Sequence, residues 1–461
     1  MNAENTQKGF LPGTRQKAQD YRRLGLDYLD ELPSYCGISD IDRIGYSVDE
    51  CAQYVMRLAA VKKQCVLIAA ARMPDTPELE LKVALAKWMW EDATQFRLLE
   101  ERLTELRSNK FAIDKVLDYQ LGDLLGEILG SPGSLELCVG LFDVLSPAIS
   151  EAIRIYLAET QPLVDAPTIR ILKGILAEEK ERLELGCRFV SVLARKKGGI
   201  AIRSEWKEHF GRFLAAARGI LGRDSLAPEF LPPAPRASPA YRPSHDVARD
   251  QRFTVVIPKV CPKAFADDLL RRTMWSRSQE LSVAETVALI LYEWEDLPSE
   301  AIVDLARQCW DETRHALFGQ VALEKEGIPL ATVESWVGFP MHALAESPQK
   351  AMAHLCIAIE ATLMAHPGGK RGEWEFCRDV AKHPLMATFQ DFDWADEITH
   401  VKYGRKWVIE HYCKGNREAA RKMTDESIKD RLDFYAKYGV KDAFASRFNQ
   451  DNPDDKLTVG Y

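Results

Sequence analysis

Glu312 and His315 stand three residues apart, and Glu397 and His400 repeat that spacing. In a helix, residues three apart share one face with Cβ atoms about 5–6 Å apart. A carboxylate and an imidazole from one helix can therefore hold one metal ion. Two such helices facing each other can hold two ions, with carboxylates from neighbouring helices bridging or capping them. A single Glu-x-x-His pair is common in helical sequence. Here there are two, and both extend to Asp-Glu-x-x-His through Asp311 and Asp396. Each Asp lies four residues before its own histidine, where an Asp–His hydrogen bond would fix the imidazole tautomer and raise its basicity.

Two more carboxylates are needed. Leu297-Pro298-Ser299 reads as a hairpin between two helices, so the partner of Glu312 should lie as far before the turn as Glu312 lies after it. Glu285 is 13 residues before Pro298 and Glu312 is 14 after it. Glu280, Glu293 and Glu295 fit that reflection less well. Glu360 is the one acidic residue between Glu346 and Gly368-Gly369, within the apolar run Leu355-Cys356-Ile357-Ala358-Ile359-Glu360-Ala361. A lone carboxylate on such a face is costly to bury unless it is paired or metal-bound. The expected ligands are Glu285, Glu312, His315, Glu360, Glu397 and His400.

The elements that must position these groups read as helices, with apolar residues at three- and four-residue spacing and turns marked by Pro and Gly. The first half predicts helices over 48–72, 78–108, 134–160 and 167–196. A proline-rich stretch follows, from Pro228 through Pro232-Pro233-Ala234-Pro235 to Pro243. It cannot be helical and reads as an extended linker. Helices resume over 263–296, 300–326, 346–366 and 384–414. Phe253–Pro258 suggests a short strand, too little to change the class. The expected organisation is an N-terminal extension (1–45), a helical bundle (46–222), a linker (223–262), a second bundle (263–415), and a C-terminal helix with a flexible tail (416–461). The fold class is all-α, two four-helix bundles in tandem.

The halves resemble one another. Trp310-Asp311-Glu312 stands where the first half has Trp90-Glu91-Asp92, and Ala395-Asp396-Glu397 where it has Ala177-Glu178-Glu179. Through this repeat, His315 becomes Gln95, Glu360 becomes Glu151, His400 becomes Arg182, and Glu285 falls near Lys62–Gln64. The first histidine in the chain is His209, so the first half cannot build a histidine-containing site. Arg182 with Lys62 or Lys63 would instead neutralise the remaining carboxylates, making a metal-free copy.

The second half also resembles a family of ferritin-like proteins related in architecture to rubrerythrin, the ribonucleotide reductase small subunit and the tRNA-hydroxylating di-iron enzyme. Asp396-Glu397-Ile398-Thr399-His400-Val401-Lys402-Tyr403-Gly404-Arg405-Lys406-Trp407 follows that family's DEIxHVxxGxxW signature. Gln279 through Glu285, Asp311 through His315, and Ile359-Glu360-Ala361 follow its other helices. The resemblance spans roughly 263–415 and implies the same six ligands.

With 46% hydrophobic and 28% charged residues, the composition is that of a globular protein, and the net charge of -8 argues against a dedicated nucleic-acid binder. No apolar run approaches a membrane span, and the N-terminus lacks a secretory h-region. Ten scattered cysteines without a CxxC pair suggest reduced thiols in a cytoplasmic protein. Carboxylate-rich sites with two imidazoles suit Fe(II) or Mn(II). The expectation is a di-iron centre (manganese or mixed Fe/Mn being alternatives) that uses O2 or peroxide to oxidise a small organic or modified macromolecular substrate. No GxGxxG opens a helix, so reducing power should come from a separate protein. The rival expectation is a ferroxidase without an organic substrate. An internal pseudo-dimer reduces any need for association, so the chain is expected to be a monomer or homodimer.

Overall fold

The computed structural model describes residues 25–109, 119–226, 230–231, 233–236, 241–243, 247–366 and 368–439. The protein is 73% helical and 1% strand, so the all-α class holds. Most of the N-terminal extension and the tail around Asp451–Lys456 lie outside the described residues. No helix among those described is long and apolar enough to cross a membrane.

The first half opens with α1 (Val48–Asp75) and α2 (Leu79–Glu105), joined by a short turn. Helix α1 starts at a capping box: the Glu50 carboxylate accepts from the Ser47 N–H at 2.8 Å while the Ser47 hydroxyl accepts from the Glu50 N–H. Then come α3 (Tyr119–Leu129) and α4 (Ser134–Cys138), the latter running through a π-helical segment (Val139–Leu145) into α5 (Ser146–Glu159). Helices α6 (Ala166–Leu193) and α7 (Gly199–Ala216) complete this half.

The second half contains α8 (Leu269–Ser278), α9 (Leu281–Glu293) and α10 (Ser299–Lys325). After α11 (Gly338–Ala343), α12 (Pro348–Ala353) passes through a π-helical segment (His354–Glu360) into α13 (Ala361–Ala365). Helix α14 (Lys370–Glu375) is followed by α15 (Pro384–Tyr403), which continues as a π-helical segment (Gly404–Tyr412), and by α16 (Arg417–Ala436). The sequence periodicity misses α3, α7, α11 and α14, of which α11 and α14 are only six residues long.

One expected helix is broken. Over 263–296 the chain forms α8 and α9 with an interruption at Gln279–Glu280. Tertiary partners account for it: the Gln279 side-chain carbonyl accepts from the Trp336 N–H at 2.8 Å, and the Ser282 hydroxyl donates to the Trp336 carbonyl. Trp336 belongs to a two-residue strand (Ser335–Trp336) that pairs in parallel with Val255–Val256, where the sequence suggests a strand.

Helix α1 packs on α9 and α2 on α10, and one cluster of buried apolar side chains runs from Val55 and Leu85 through Leu291 and Leu305 to Val408. The end of the linker is tied to the first half, with the Ala248 N–H donating to the Pro74 carbonyl and the Asp250 N–H to the Pro77 carbonyl, each at 3.0 Å.

Two glycines set how closely helices approach. A Cβ on Gly404 would lie 2.4 Å from the Cys356 Cβ, and one on Gly186 would lie 2.3 Å from the Phe142 ring. Both partners sit in π-helical segments, so the two halves repeat this contact. Gly404→Ala and Gly186→Ala should each destabilise the chain by about 1–3 kcal/mol through overpacking. Denaturant unfolding checks this, and unchanged midpoints would contradict the packing described.

Candidate metal centre

Helix α15 carries a row of polar groups where apolar ones are expected. Gln390, Asp393, Glu397 and His400 recur at spacings of three, four and three, and all are buried. Facing them from α10 are Gln308, Asp311, Glu312 and His315, also buried. Glu360 arrives from the end of the π-helical segment His354–Glu360, the kind of helix irregularity that re-aims side chains at functional sites.

Two groups of potential ligand atoms result. Glu312, Glu360, Glu397 and His400 place one ligand atom each within 4.8 Å of one another, and Glu280, His315 and Asp393 do the same. Ions held at about 2.0–2.2 Å by nitrogen and oxygen have ligands at most about 4.4 Å apart, so either group could hold an ion once its ligands draw in by a few tenths of an ångström. In the first, His400 Nδ1 lies 3.2 Å from Glu312, 3.7 Å from Glu360 and 3.6 Å from Glu397. In the second, His315 Nδ1 lies 3.3 Å from Asp393, 3.5 Å from Glu312 and 3.6 Å from Glu280. Glu312 therefore stands between the two histidines, whose ring centroids are 6.0 Å apart. Both Nδ1 atoms, His400 Nε2, Glu360 Oε2, Glu397 Oε2 and Glu280 Oε2 are buried without a hydrogen bond. Native structures rarely leave so many buried polar atoms unsatisfied in one place.

The outer nitrogens face aspartates crosswise, and that of His315 is hydrogen-bonded. His315 Nε2 lies 3.2 Å from Asp396 on α15, and His400 Nε2 lies 3.5 Å from Asp311 on α10. The expected pairing of each Asp with the histidine of its own helix is thus corrected. The Asp on one helix reaches the imidazole of the other, because both histidines turn their Nδ1 inward. Arg314 stitches the pair together, donating to Asp396 at 2.8 Å and also to Asp311. Asp311→Asn should weaken the ion at the His400 group by about 10–100-fold, while Asp396→Asn leaves that ion nearly unchanged. Metal titration of both variants checks this, and equal losses would contradict the crossed pairing.

Glu285 needs a second correction. It is fully buried but lies on the face of α9 turned to the first half, ion-paired to Lys82 of α2 at 2.7 Å and to Arg249 of the linker. Glu280 takes its place, at the break between α8 and α9. It stands 18 residues before Pro298, mirroring His315 at 17 after, so the hairpin reflection pairs it with the histidine rather than with Glu312. Glu285→Gln should cost several kcal/mol, about 3–5, by leaving Lys82 and Arg249 buried without their partner. Metal stoichiometry should stay the same; a lost ion would return Glu285 to the ligand set.

Asp393, Lys370 and Arg277 complete the site and escape the sequence reading. Lys370 Nζ lies 2.9 Å from Asp393, 2.7 Å from Glu397 and 3.8 Å from Glu280. Arg277 NH1 lies 2.7 Å from Glu280 and 2.8 Å from Asp393. Asp393 could have been found from its position seven residues before His400, on the same face. Lys370 offers no such signal, since it opens the short α14.

Electrostatics follow this arrangement. Burial pushes Glu280 up to about 7, against the pull of Arg277 and Lys370. Burial, then Glu397 and Glu312, push Glu360 well above the usual carboxylate range. Burial would raise Glu397 as well, but Lys370 and His400 outweigh it and hold that carboxyl well below the usual range. Burial alone would depress His315; Asp393, Asp396 and Glu312 lift it to about 10. Burial would likewise depress His400, but Asp311, Glu312 and Glu397 hold it well above the usual imidazole range. The five inner carboxylates (Glu280, Glu312, Glu360, Asp393, Glu397) therefore face Lys370, Arg277 and two imidazoles. Among the described residues, no Lys or Arg is ion-paired to Glu312 or Glu360.

The equivalent place in the first half is balanced. Lys62 pairs with Asp92 at 2.9 Å and with Glu179, and Arg182 grips both Asp92 oxygens at 2.8 Å and approaches Glu179 at 3.4 Å. Arg182 also reaches Glu91 at 3.4 Å, which Lys87 pairs in turn, so fixed cations serve each carboxylate here, the neutralisation expected for a histidine-free copy. Glu151 takes no part. It is exposed beside Arg154, and the third-helix group that reaches Glu179 is the Ser146 hydroxyl.

Around these two groups, Phe318 stacks on Phe389 at 4.6 Å beside His315, and Tyr403 lies 6.3 Å from the His400 ring. The Trp407 indole donates to Asp304 at 2.9 Å. Of the basic residues past His400, Lys406 pairs with Asp304 and Arg405 with Glu410. No protein-family model, no curated protein and no solved structure matches the chain.

Proposed function

We propose that the chain is a non-haem metal oxidoreductase built as two four-helix bundles in tandem, of the ferritin-like type, with the first bundle metal-free. The observation that carries this reading is the pair of buried histidines. Each aims Nδ1 into a shared carboxylate cage and turns Nε2 toward an aspartate of the opposite helix, His315 hydrogen-bonding Asp396 at 3.2 Å and His400 standing 3.5 Å from Asp311. Such anchoring fixes the tautomer and makes the inward nitrogen the better ligand.

Glu312, Glu360, Glu397 and His400 would hold one ion, and Glu280, His315 and Asp393 a second. Hard carboxylates with two imidazoles suit iron, or manganese where that metal is more available. When bound, a pair of ferrous ions supplies electrons for the reduction of O2 or peroxide. The chain's own part is to hold the ligands and exclude water. The stacked Phe318 and Phe389 wall one side, and the Gln308 amide fixes Glu360 by donating at 2.9 Å. A substrate, either a small organic molecule or a modified macromolecule, and a separate electron donor complete the reaction, which we place in the cytoplasm. The first bundle serves as a scaffold, its ionic cluster replacing metal, and the chain works as a monomer or homodimer.

Oxygen uptake tests this reading. Anaerobically Fe(II)-loaded protein mixed with oxygenated buffer should consume O2 faster than the same Fe(II) free in solution. Glu360→Gln should abolish the difference. Fe(II) that binds without accelerating O2 uptake would overturn the oxidoreductase reading and leave only a metal-binding protein.

A further inference from the structure

We infer that the Lys370 ammonium fills the second half of the metal centre as a built-in cation, so that one ion binds tightly and a second enters only by displacing it. This rests on the metal-centre reading above and divides it into two unlike halves.

The division follows from where the fixed charges lie. Lys370 Nζ sits among Asp393, Glu397 and Glu280 at 2.9, 2.7 and 3.8 Å. Two of those three residues belong to the Glu280–His315–Asp393 group, where Arg277 also pairs with Glu280 and Asp393. Lys370 is 2% exposed, so its charge is not shared with water. An ion at this position would meet carboxylates already neutralised, and would stand close to an ammonium and a guanidinium. The Glu312–Glu360–Glu397–His400 group differs. Glu397 alone among its carboxylates touches a fixed cation, Lys370 at 2.7 Å. A divalent ion there would meet two carboxylates, Glu312 and Glu360, that pair with no Lys or Arg among the described residues, and would stand away from Arg277.

The placement of Lys370 is built into the backbone. A Cβ on Gly369 would lie 1.8 Å from the Leu363 carbonyl oxygen, so only glycine fits the turn that delivers the lysine. The first half has already reached the limit of the same device. There Lys62 and Arg182 neutralise Asp92 and Glu179 completely. The second half retains fixed cations on one side only.

Anaerobic titration with Fe(II) alone, read as metal bound per chain, tests the inference. Wild type should take one ion tightly and a second roughly a hundredfold more weakly, a gap corresponding to two tenfold steps in affinity. Lys370→Met should bring the two affinities to within about tenfold, and Lys370→Arg, which keeps the charge, should preserve the wild-type gap. Asp393→Asn, a change confined to the second group, should leave the tight ion in place and needs no folded Lys370→Met protein. The inference is overturned if wild type takes two ions of equal affinity, if Lys370→Met keeps the gap, or if Asp393→Asn loses the tight ion. Those outcomes leave the metal centre standing. If neither wild type nor Lys370→Met binds Fe(II), the metal-centre reading falls and the inference with it.

Discussion

His400→Ala is expected to lower affinity for the tightly held ion by more than about a hundredfold, beyond the 10–100-fold typical when a group that merely supports a ligand is lost. The imidazole is the only nitrogen in its group, and its Nδ1 lies within 3.7 Å of three carboxylates. Glu312, Glu360 and Glu397 would remain, but they would face an empty corner, with Asp311 freed from the ring that it orients. His315→Ala should behave differently, reducing the weaker ion first. The contrast is measured by equilibrium competition with a metal chelator, comparing both variants with wild type. Equal loss in the two variants would mean that the histidines serve one ion jointly.

Lys62→Met should destabilise the chain by about 3–5 kcal/mol, the range for breaking one side of a buried ion pair. The substitution leaves Glu179 fully buried with Arg182 as its remaining cation. A second change, Glu179→Leu, should recover most of the loss, because an apolar pair of similar volume avoids the desolvation that an unpaired charge suffers. The pH dependence has a definite sign. Burial would raise Glu179, but Lys62 and Arg182 hold it at about 2, below its ordinary 4.5. A carboxyl depressed by folding contributes stability that is present above its unfolded value and is lost as the pH falls from about 4.5 toward 2. Wild type should therefore lose stability over that interval, and Lys62→Met/Glu179→Leu should lose less. Urea midpoints at several pH values decide the matter, and parallel acid profiles would contradict the role given to this cluster.

Much of this was legible in the residues themselves. The two Asp-Glu-x-x-His segments announce α10 and α15 and which face of each is buried, because a period of three to four on a helix is a geometric statement. The Pro298 hairpin and the proline-rich segment mark breaks that no helix can cross. Lys62 and Arg182 were readable as substitutes for ions once the halves were aligned, since a half without histidine has only cations to offer its carboxylates.

What escaped depends on tertiary contact. Glu285 and Glu280 are both glutamates on a helical stretch, and only the break at Gln279–Glu280, imposed by Trp336, turns Glu280 toward His315. Glu285 is equally buried, but its partners Lys82 and Arg249 lie 203 and 36 residues away in the chain. Burial of a carboxylate says that it is satisfied, not by what. The crossed Asp–His pairs depend on the rotation of two imidazoles, which spacing along one helix does not specify. Lys370 lies on a six-residue helix after a Gly-Gly turn, without periodicity to reveal it.

The measurement that tests the account most directly is anomalous diffraction at the iron edge from crystals loaded anaerobically with Fe(II). The account predicts a peak coordinated by Glu312, Glu360, Glu397 and His400 through Nδ1, at about 2.0–2.2 Å, and no peak beside Lys62 and Arg182. An iron-free centre in loaded crystals, or iron held by other residues, would contradict it.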